Sequence, residues 1–273
     1  MENFITKLFI YKHNRRYLRR IYPHALRYKS SDFNNIIDFW ELRAQLVATN
    51  WQTNDLGQCL NLAMFEQPYL NDKSLGWNSG YVLKPDYLLP KIKVKEMRQF
   101  YKNFNETVVS QKYKVDVLSC YILKKPVVNA SLSSPSVTIN DKGISNSLSL
   151  INNSDVEVTL EFELFTNKRN EHTLADSFQR VNAFKIDKLK GQTLFYKDNG
   201  SNPIWNAKLT FETKYPCFTF LHFKVRTKDH TCLGEVYFKL SNIKLGYRHL
   251  SLKSEKTGDA IPFSKLFLNV SCI

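Results

Sequence analysis

Long apolar runs, closely spaced cysteines and an excess of acidic side chains are all missing from this sequence. No apolar stretch approaches the roughly 20 residues needed to span a bilayer, so a transmembrane helix is not expected. The segment Met1 to Tyr22 does not read as a secretory signal, because Glu2 and Lys7 interrupt it. Nine glycines among 273 residues exclude a collagen-like chain. The five cysteines, at positions 59, 120, 217, 232 and 272, are odd in number and lack metal-type spacing. They predict reduced thiols in a cytoplasmic setting, not a disulfide scaffold.

What is present is a globular composition. Apolar residues make up 43% and aromatics 14% of the chain, enough for a sizeable core and about two domains. Lys plus Arg (39) outnumber Asp plus Glu (25), a net charge of +14. That charge is uneven: residues 1–30 carry +7, residues 31–90 carry −4, residues 91–112 carry +4 and the remainder +7. Basic clusters attract polyanions, whether an anionic bilayer or nucleic acid, and charge alone does not choose between them. With no nucleic-acid recognition motif and no ordered aromatic platform beside the basic N-terminus, nucleic acid is not expected as a partner.

Residues 3–20 predict a basic helix with apolar Phe4, Ile5, Leu8, Phe9 and Tyr17, closed by Pro23. Gln45 to Gln52 and Gly80 to Leu83 read as short strands, the second closed by Lys84-Pro85. Residues 91–112 predict a basic linker. From Tyr113 the period becomes two. Val156, Val158, Leu160, Phe162 and Leu164 alternate with Glu157, Thr159, Glu161 and Glu163, the pattern of a strand with one buried and one wet face. Trp205, Ala207, Leu209 and Phe211 repeat it, as do Leu266, Leu268, Val270 and Cys272. Strands joined by Asn, Gly and Pro turns predict an antiparallel sandwich. Thirteen of the 26 residues from Asn129 to Ser154 are Ser or Asn, so this stretch reads as a polar loop insertion.

Few residues carry chemistry by themselves. Arg20-Ile21-Tyr22-Pro23 sets a guanidinium fork, suited to phosphate, near an aromatic face that can cover a sugar or cyclitol. A solvated Arg20 and a core Tyr22 explain the same residues. Histidines 13, 24, 172, 222, 230 and 249 show no paired spacing, and no G-x-S-x-G, P-loop, H-E-x-x-H or dinucleotide fingerprint occurs. Cys217 and Cys232 read as small hydrophobes. Asp155, Asp198 and Asp229 fall beside predicted strand ends, where loop carboxylates can gather around calcium, although Asp198-Asn199-Gly200 is equally a turn.

Several strings taken together point further. His13-Asn14, Leu18-Arg19-Arg20-Ile21-Tyr22-Pro23, Tyr28-Lys29-Ser30-Ser31-Asp32-Phe33-Asn34 and Phe39-Trp40 lead into Gln45-Leu46-Val47-Ala48-Thr49-Asn50-Trp51-Gln52-Thr53. Leu60-Asn61-Leu62-Ala63-Met64-Phe65 and Gly80-Tyr81-Val82-Leu83-Lys84-Pro85 follow. This series resembles the catalytic Y half of phosphoinositide-specific phospholipase C, nearest to fungal members. Asn199-Gly200-Ser201-Asn202-Pro203-Ile204-Trp205 and Gly246-Tyr247-Arg248-His249 resemble the C2 domain of the same family.

The resemblance implies an α/β plus all-β chain. An incomplete TIM-like barrel segment over residues 1–90 would be followed by the linker and an antiparallel C2 β-sandwich over residues 113–273. It implies hydrolysis of phosphatidylinositol 4,5-bisphosphate to diacylglycerol and inositol trisphosphate with a calcium ion, at an anionic phosphoinositide membrane. Arg20 would hold a ring phosphate, Tyr22 would pack on the inositol ring, and Leu26 would dip into the bilayer from the rim. The family's catalytic histidines, calcium carboxylates and phosphate-binding lysines belong to an X half with no counterpart in these 273 residues. The chain is therefore expected to need that X half as a partner and to show no turnover by itself. A non-catalytic C2 module with a vestigial barrel remnant is the alternative. In the C2 part, Asp155, Asp198 and Asp229 match calcium-loop positions. Thr227, flanked by Arg226 and Lys228, stands where another aspartate is usual, so weak calcium binding is expected. The expected location is cytoplasmic and peripheral at membranes.

Overall fold

Alternating burial organises the C-terminal part of the chain. A computed structural model describes residues 9–24, 26, 36–66, 80–89, 109–121, 123, 158–167, 186–192, 202–227 and 229–273. Its strands are β3 (Gln111–Tyr121), β4 (Val158–Asn167), β5 (Ile186–Gln192), β6 (Ile204–Thr213), β7 (Phe220–Thr227), β8 (Cys232–Lys239), β9 (Gly246–Lys253) and β10 (Ala260–Cys272). They hydrogen-bond in the order β5-β4-β7-β8-β9-β10-β3-β6, and every ladder is antiparallel. Between β8 and β9 the join is one residue pair, Glu235 with Lys253. The sheet thus folds into two four-stranded halves facing each other across one core. Val158, Leu160, Leu164, Leu221, Phe223, Val225, Val236 and Phe238 come from one half. Val115, Val117, Leu209, Phe211, Leu250, Leu252, Leu266, Leu268 and Val270 come from the other. Tyr113 stacks on Phe211 at 5.8 Å and Phe223 on Phe238 at 5.9 Å, which adds directional packing to the apolar burial.

The N-terminal part is smaller and less regular. Residues 9–13 are helical; β1 (Arg20–Ile21) lies parallel to β2 (Leu46–Val47), and α1 (Ile36–Glu41) falls between them in sequence. Next come α2 (Leu56–Phe65) and a 3-10 turn (Asp86–Leu88). Parallel strands joined through a helix are the repeating unit of a barrel, here present as two very short strands. Their core is shared. Tyr11, Ile36, Ile37, Trp40, Leu60, Ala63, Met64 and Leu88 pack with Phe165, Tyr215, Phe218 and Phe220 of the sandwich.

This docking corrects the one-wet-face reading of β4. Leu164 faces the sandwich core, whereas Thr159 and Phe165 on the opposite side are also buried, Phe165 within the shared cluster. On β7 the same two-sided burial puts Leu221, Phe223 and Val225 inward and Phe220 outward against Trp40, with ring centroids 6.4 Å apart.

Three local expectations also change. The helix gives way to turns after His13, well before Arg20, where Gln45 Nε2 bonds the Asn14 and Tyr17 carbonyls. The segment from Gln45 to Gln52 is a strand only at Leu46–Val47, and Gly80 to Leu83 is irregular rather than strand. Gln111 and Lys112, read as linker, already belong to β3. Most of the linker, residues 91–108, and the insertion 129–154 lie outside the described residues.

Candidate functional site at the open ends of the parallel strands

Side chains from the intervening segments hold β1 and β2 together. Asn14 is fully buried and donates from Nδ2 to the Leu42 carbonyl at 2.8 Å, tying the end of the first helix to the end of α1. Gln45 accepts from the Arg19 amide at 3.0 Å and donates to the carbonyls of Tyr17 (3.1 Å) and Asn14. Arg43, with φ 67°, turns the chain out of α1 and lays its buried guanidinium 3.7 Å from the centre of the Tyr11 ring. Backbone bonds from Leu46 to the Arg19 carbonyl and from Ala48 to the Ile21 carbonyl complete the short ladder.

The first strand ends at Arg20 and Ile21, and Tyr22 follows it outward. Arg20 is exposed, Tyr22 is 69% exposed, and the guanidinium carbon stands 5.9 Å from the centre of the Tyr22 ring. Leu26 is 79% exposed. The reading of Tyr22 as a core residue is therefore wrong; ring and fork share one open surface. The carboxyl ends of parallel strands are where α/β barrels build their active sites.

Beyond β2 the backbone runs through Thr49, which donates to Gln58, to Trp51, 73% exposed. Trp51 lines a cleft of about 1020 Å³ with Leu18, Leu46, Val82 and Leu83 at its walls and Lys84 and Lys239 among its polar lining. Tyr81 and Leu83, 84% and 85% exposed, belong to the same wall. Together with Trp51 they leave an open, largely apolar surface on this side of the fragment. Neither Trp51 nor this cleft was singled out from the sequence. A tryptophan on a Gln/Thr/Asn-rich loop was the available signal.

In the sandwich loop between β7 and β8 the described side chains bond mainly to the loop's own backbone. Thr227 is buried; its Oγ1 accepts from the Thr231 amide at 3.2 Å and donates to the Thr231 carbonyl at 3.4 Å. Arg226 Nη1 donates to the His230 carbonyl at 3.1 Å, and its Nε lies 3.0 Å from Glu161. Asp229 is exposed, and among the described residues no group of three His, Cys, Asp or Glu could hold a metal. Asp155 and Asp198 lie outside the described residues.

Sequence reasoning also missed the polar ladder beneath α2, on the outer faces of β4, β7 and β8. His222 places one ring nitrogen 3.0 Å from Glu235 and the other 3.4 Å from Glu163, with its ring stacked at 3.8 Å on Tyr237. Lys224 meets Glu235 at 3.6 Å and also pairs with Glu255. Burial alone would lower the Lys224 pKa, but its bond to Glu255 and the Glu235 charge raise it overall. Burial likewise raises the Cys59, Cys120 and Cys232 thiols to about 12, which removes them as nucleophiles. All five cysteines are free.

Comparison with known proteins agrees with this geometry. Residues 2–87 match the family model for the Y domain of phosphatidylinositol-specific phospholipase C, and residues 154–255 match the C2 domain. This chain joins a phospholipase C Y domain to a C2 domain. The 1-phosphatidylinositol 4,5-bisphosphate phosphodiesterase 1 of Saccharomyces cerevisiae is 37% identical over 98% of this chain, which covers 28% of that relative. Phosphodiesterase delta-4 of Xenopus laevis is 29% identical over 95% of the chain and 28% of its own length. The chain thus spans about a quarter of these relatives. The crystal structure of PLC21 from S. officinalis superposes with a TM-score of 0.62 at 20% identity, over 98% of this chain and 28% of the other. That likeness shows the fold. Arg20 and Tyr22 fall inside the Y-domain match and the Thr227 loop inside the C2 match. Among the described residues no helix is long and apolar enough to cross a membrane.

Proposed function

We propose that this chain is the ring-binding and membrane-docking part of a phosphoinositide phospholipase C, completed by an X half in the same or another chain. One observation carries the reading: Arg20 and Tyr22 lie together, exposed, at the open end of a parallel strand within a Y-domain match. The curated relatives are named for acting on phosphatidylinositol 4,5-bisphosphate. In this reading the Arg20 fork binds a ring phosphate of that lipid and orients it. The Tyr22 face covers the apolar side of the inositol and excludes water from it. Calcium, held by the X half, would offset the charge that develops on the scissile phosphate. Leu26 inserts at the rim of an anionic bilayer.

The C2 domain contributes without calcium of its own. Support comes from the self-satisfied Thr227 loop and the Arg226 guanidinium standing in it. Membrane contact then rests on basic side chains, each worth roughly 1 kcal/mol when close to an anionic surface. Titration calorimetry with calcium is expected to show no micromolar site.

The decisive experiment supplies the X half and measures hydrolysis of the bisphosphate lipid. Arg20→Lys keeps the charge but loses the fork and should cost about 1–3 kcal/mol, a drop of roughly 5- to 150-fold in kcat/KM. Unchanged activity would sink the role given to Arg20. Turnover by the 273-residue chain alone would refute the need for an X half.

A further inference from the structure

Two lysines on one sheet face have opposite surroundings. Lys224 of β7 and Lys239 of β8 both point away from the sandwich core toward the N-terminal part, and both are buried. Lys224 lies between Glu235 and Glu255. Lys239, 3% exposed, has a different neighbour: among the described residues its Nζ meets only the thioether sulfur of Met64, at 3.4 Å. A thioether is a weak acceptor and no counter-charge. Burial accordingly lowers the Lys239 pKa, and a negative charge at Cys217 would only partly oppose that. An ammonium desolvated with no counter-charge in contact among the described residues is a cost to the fold.

The same lysine lines a crevice of about 620 Å³ between the loop 80–86 and the sandwich. Lys84 and Lys214 line it too, with Tyr81 and Asn242, and Asp86 is its acidic residue among those described. Lys84 donates to the Arg43 carbonyl at 3.1 Å, and burial together with the Arg43 charge lowers its pKa. Among the described residues, Lys239 and Lys84 thus face one carboxylate in a crevice with aromatic walls, an arrangement suited to an oxyanion. Lysine binds phosphate as a point charge and tolerates varied approach, so the geometry does not require an arginine fork.

From this arrangement we infer that the crevice between loop 80–86 and the sandwich is a binding site for a phosphate-bearing ligand, whose oxyanion completes Lys239. The site is separate from Arg20 and Tyr22 and does not depend on the reading given to them. The oxyanion has two possible sources, a soluble phosphate compound or a phospholipid headgroup.

The test uses the full 273-residue chain. Calorimetry with inorganic pyrophosphate addresses the soluble source. Sedimentation with phosphatidylcholine vesicles, with and without phosphatidic acid, addresses the headgroup. Lys239→Met keeps length and apolar stem while removing the charge, so the fold is retained and the unliganded chain should melt higher. Its affinity for whichever probe binds should fall about tenfold or more, the loss of one charge-assisted contact. Lys84→Met should weaken binding less, and the exposed Lys208→Met of β6 should leave it unchanged. Bound ligand should also protect Lys239 from amine-reactive labelling at neutral pH, followed by mass spectrometry. Binding by pyrophosphate assigns a soluble source; binding by phosphatidic acid vesicles alone assigns a headgroup. Binding that survives Lys239→Met undiminished, or no binding by either probe, overturns the inference.

Discussion

The sandwich and the N-terminal part solve the burial problem in different ways. In the sandwich, two half-sheets cover each other, and the buried set from Val115 to Val270 is drawn entirely from its own strands and their loops. The N-terminal part has two-residue strands and helices of six and ten residues, and its buried cluster borrows Phe165, Tyr215, Phe218 and Phe220. Helices this short are marginal without tertiary packing, and a two-stranded ladder is not independently stable. Sandwich side chains complete the fragment's cluster while the sandwich core uses none of the fragment's, so order is expected to depend one way, from the sandwich to the fragment.

Four experiments put that contrast to the test. The largest effect is expected from Phe223→Ala in the sandwich core, about 3–5 kcal/mol by urea unfolding, with both parts lost together. Phe220→Ala, three residues away on the opposite face, should remove a comparable side chain yet release mainly the N-terminal part. Limited proteolysis should then cut residues 1–90 first while the sandwich resists; simultaneous loss would contradict the one-way dependence. Gly258 sits at φ +74°, and a Cβ there would stand 2.9 Å from the Asn54 side-chain oxygen. Asn54 also donates to the Glu255 carbonyl at 3.1 Å, so Gly258→Ala should strain this bridge and cost about 1–2 kcal/mol, read as a lower Tm.

The smallest effect is electrostatic. Burial alone would raise the Glu255 carboxyl, but its hydrogen bond with Lys224 outweighs that and lowers it below the ordinary carboxylate range. A depressed carboxylate stabilises the fold above its unfolded pKa and loses that contribution as pH falls through the folded value. Because Glu255 is 46% exposed, the contribution is under about 1 kcal/mol. Stability curves of the wild type and Glu255→Gln should therefore differ at neutral pH and converge in acid. Lys224 has the opposite sign: its raised pKa adds stability at and below neutrality that is lost only in strong alkali.

Period-two alternation in β6 and β10 was enough to specify the sandwich, because it encodes which face is buried whatever lies on the other side. The sequence also held the strings that mark the Y and C2 segments, including Arg20 and Tyr22. It did not reveal that the first helix stops at His13 or that Tyr22 is exposed. Asn14, Gln45 and Arg43 impose those features through bonds and contacts 26 to 32 residues away in the chain, beyond any local pattern. Nor could it tell the fate of β4 and β7. Thr159, His222, Lys224 and Lys239 occupy positions that alternation assigns to water, yet all four are buried. Periodicity reports one face of a strand at a time, whereas packing of a second unit on the other face is decided in three dimensions.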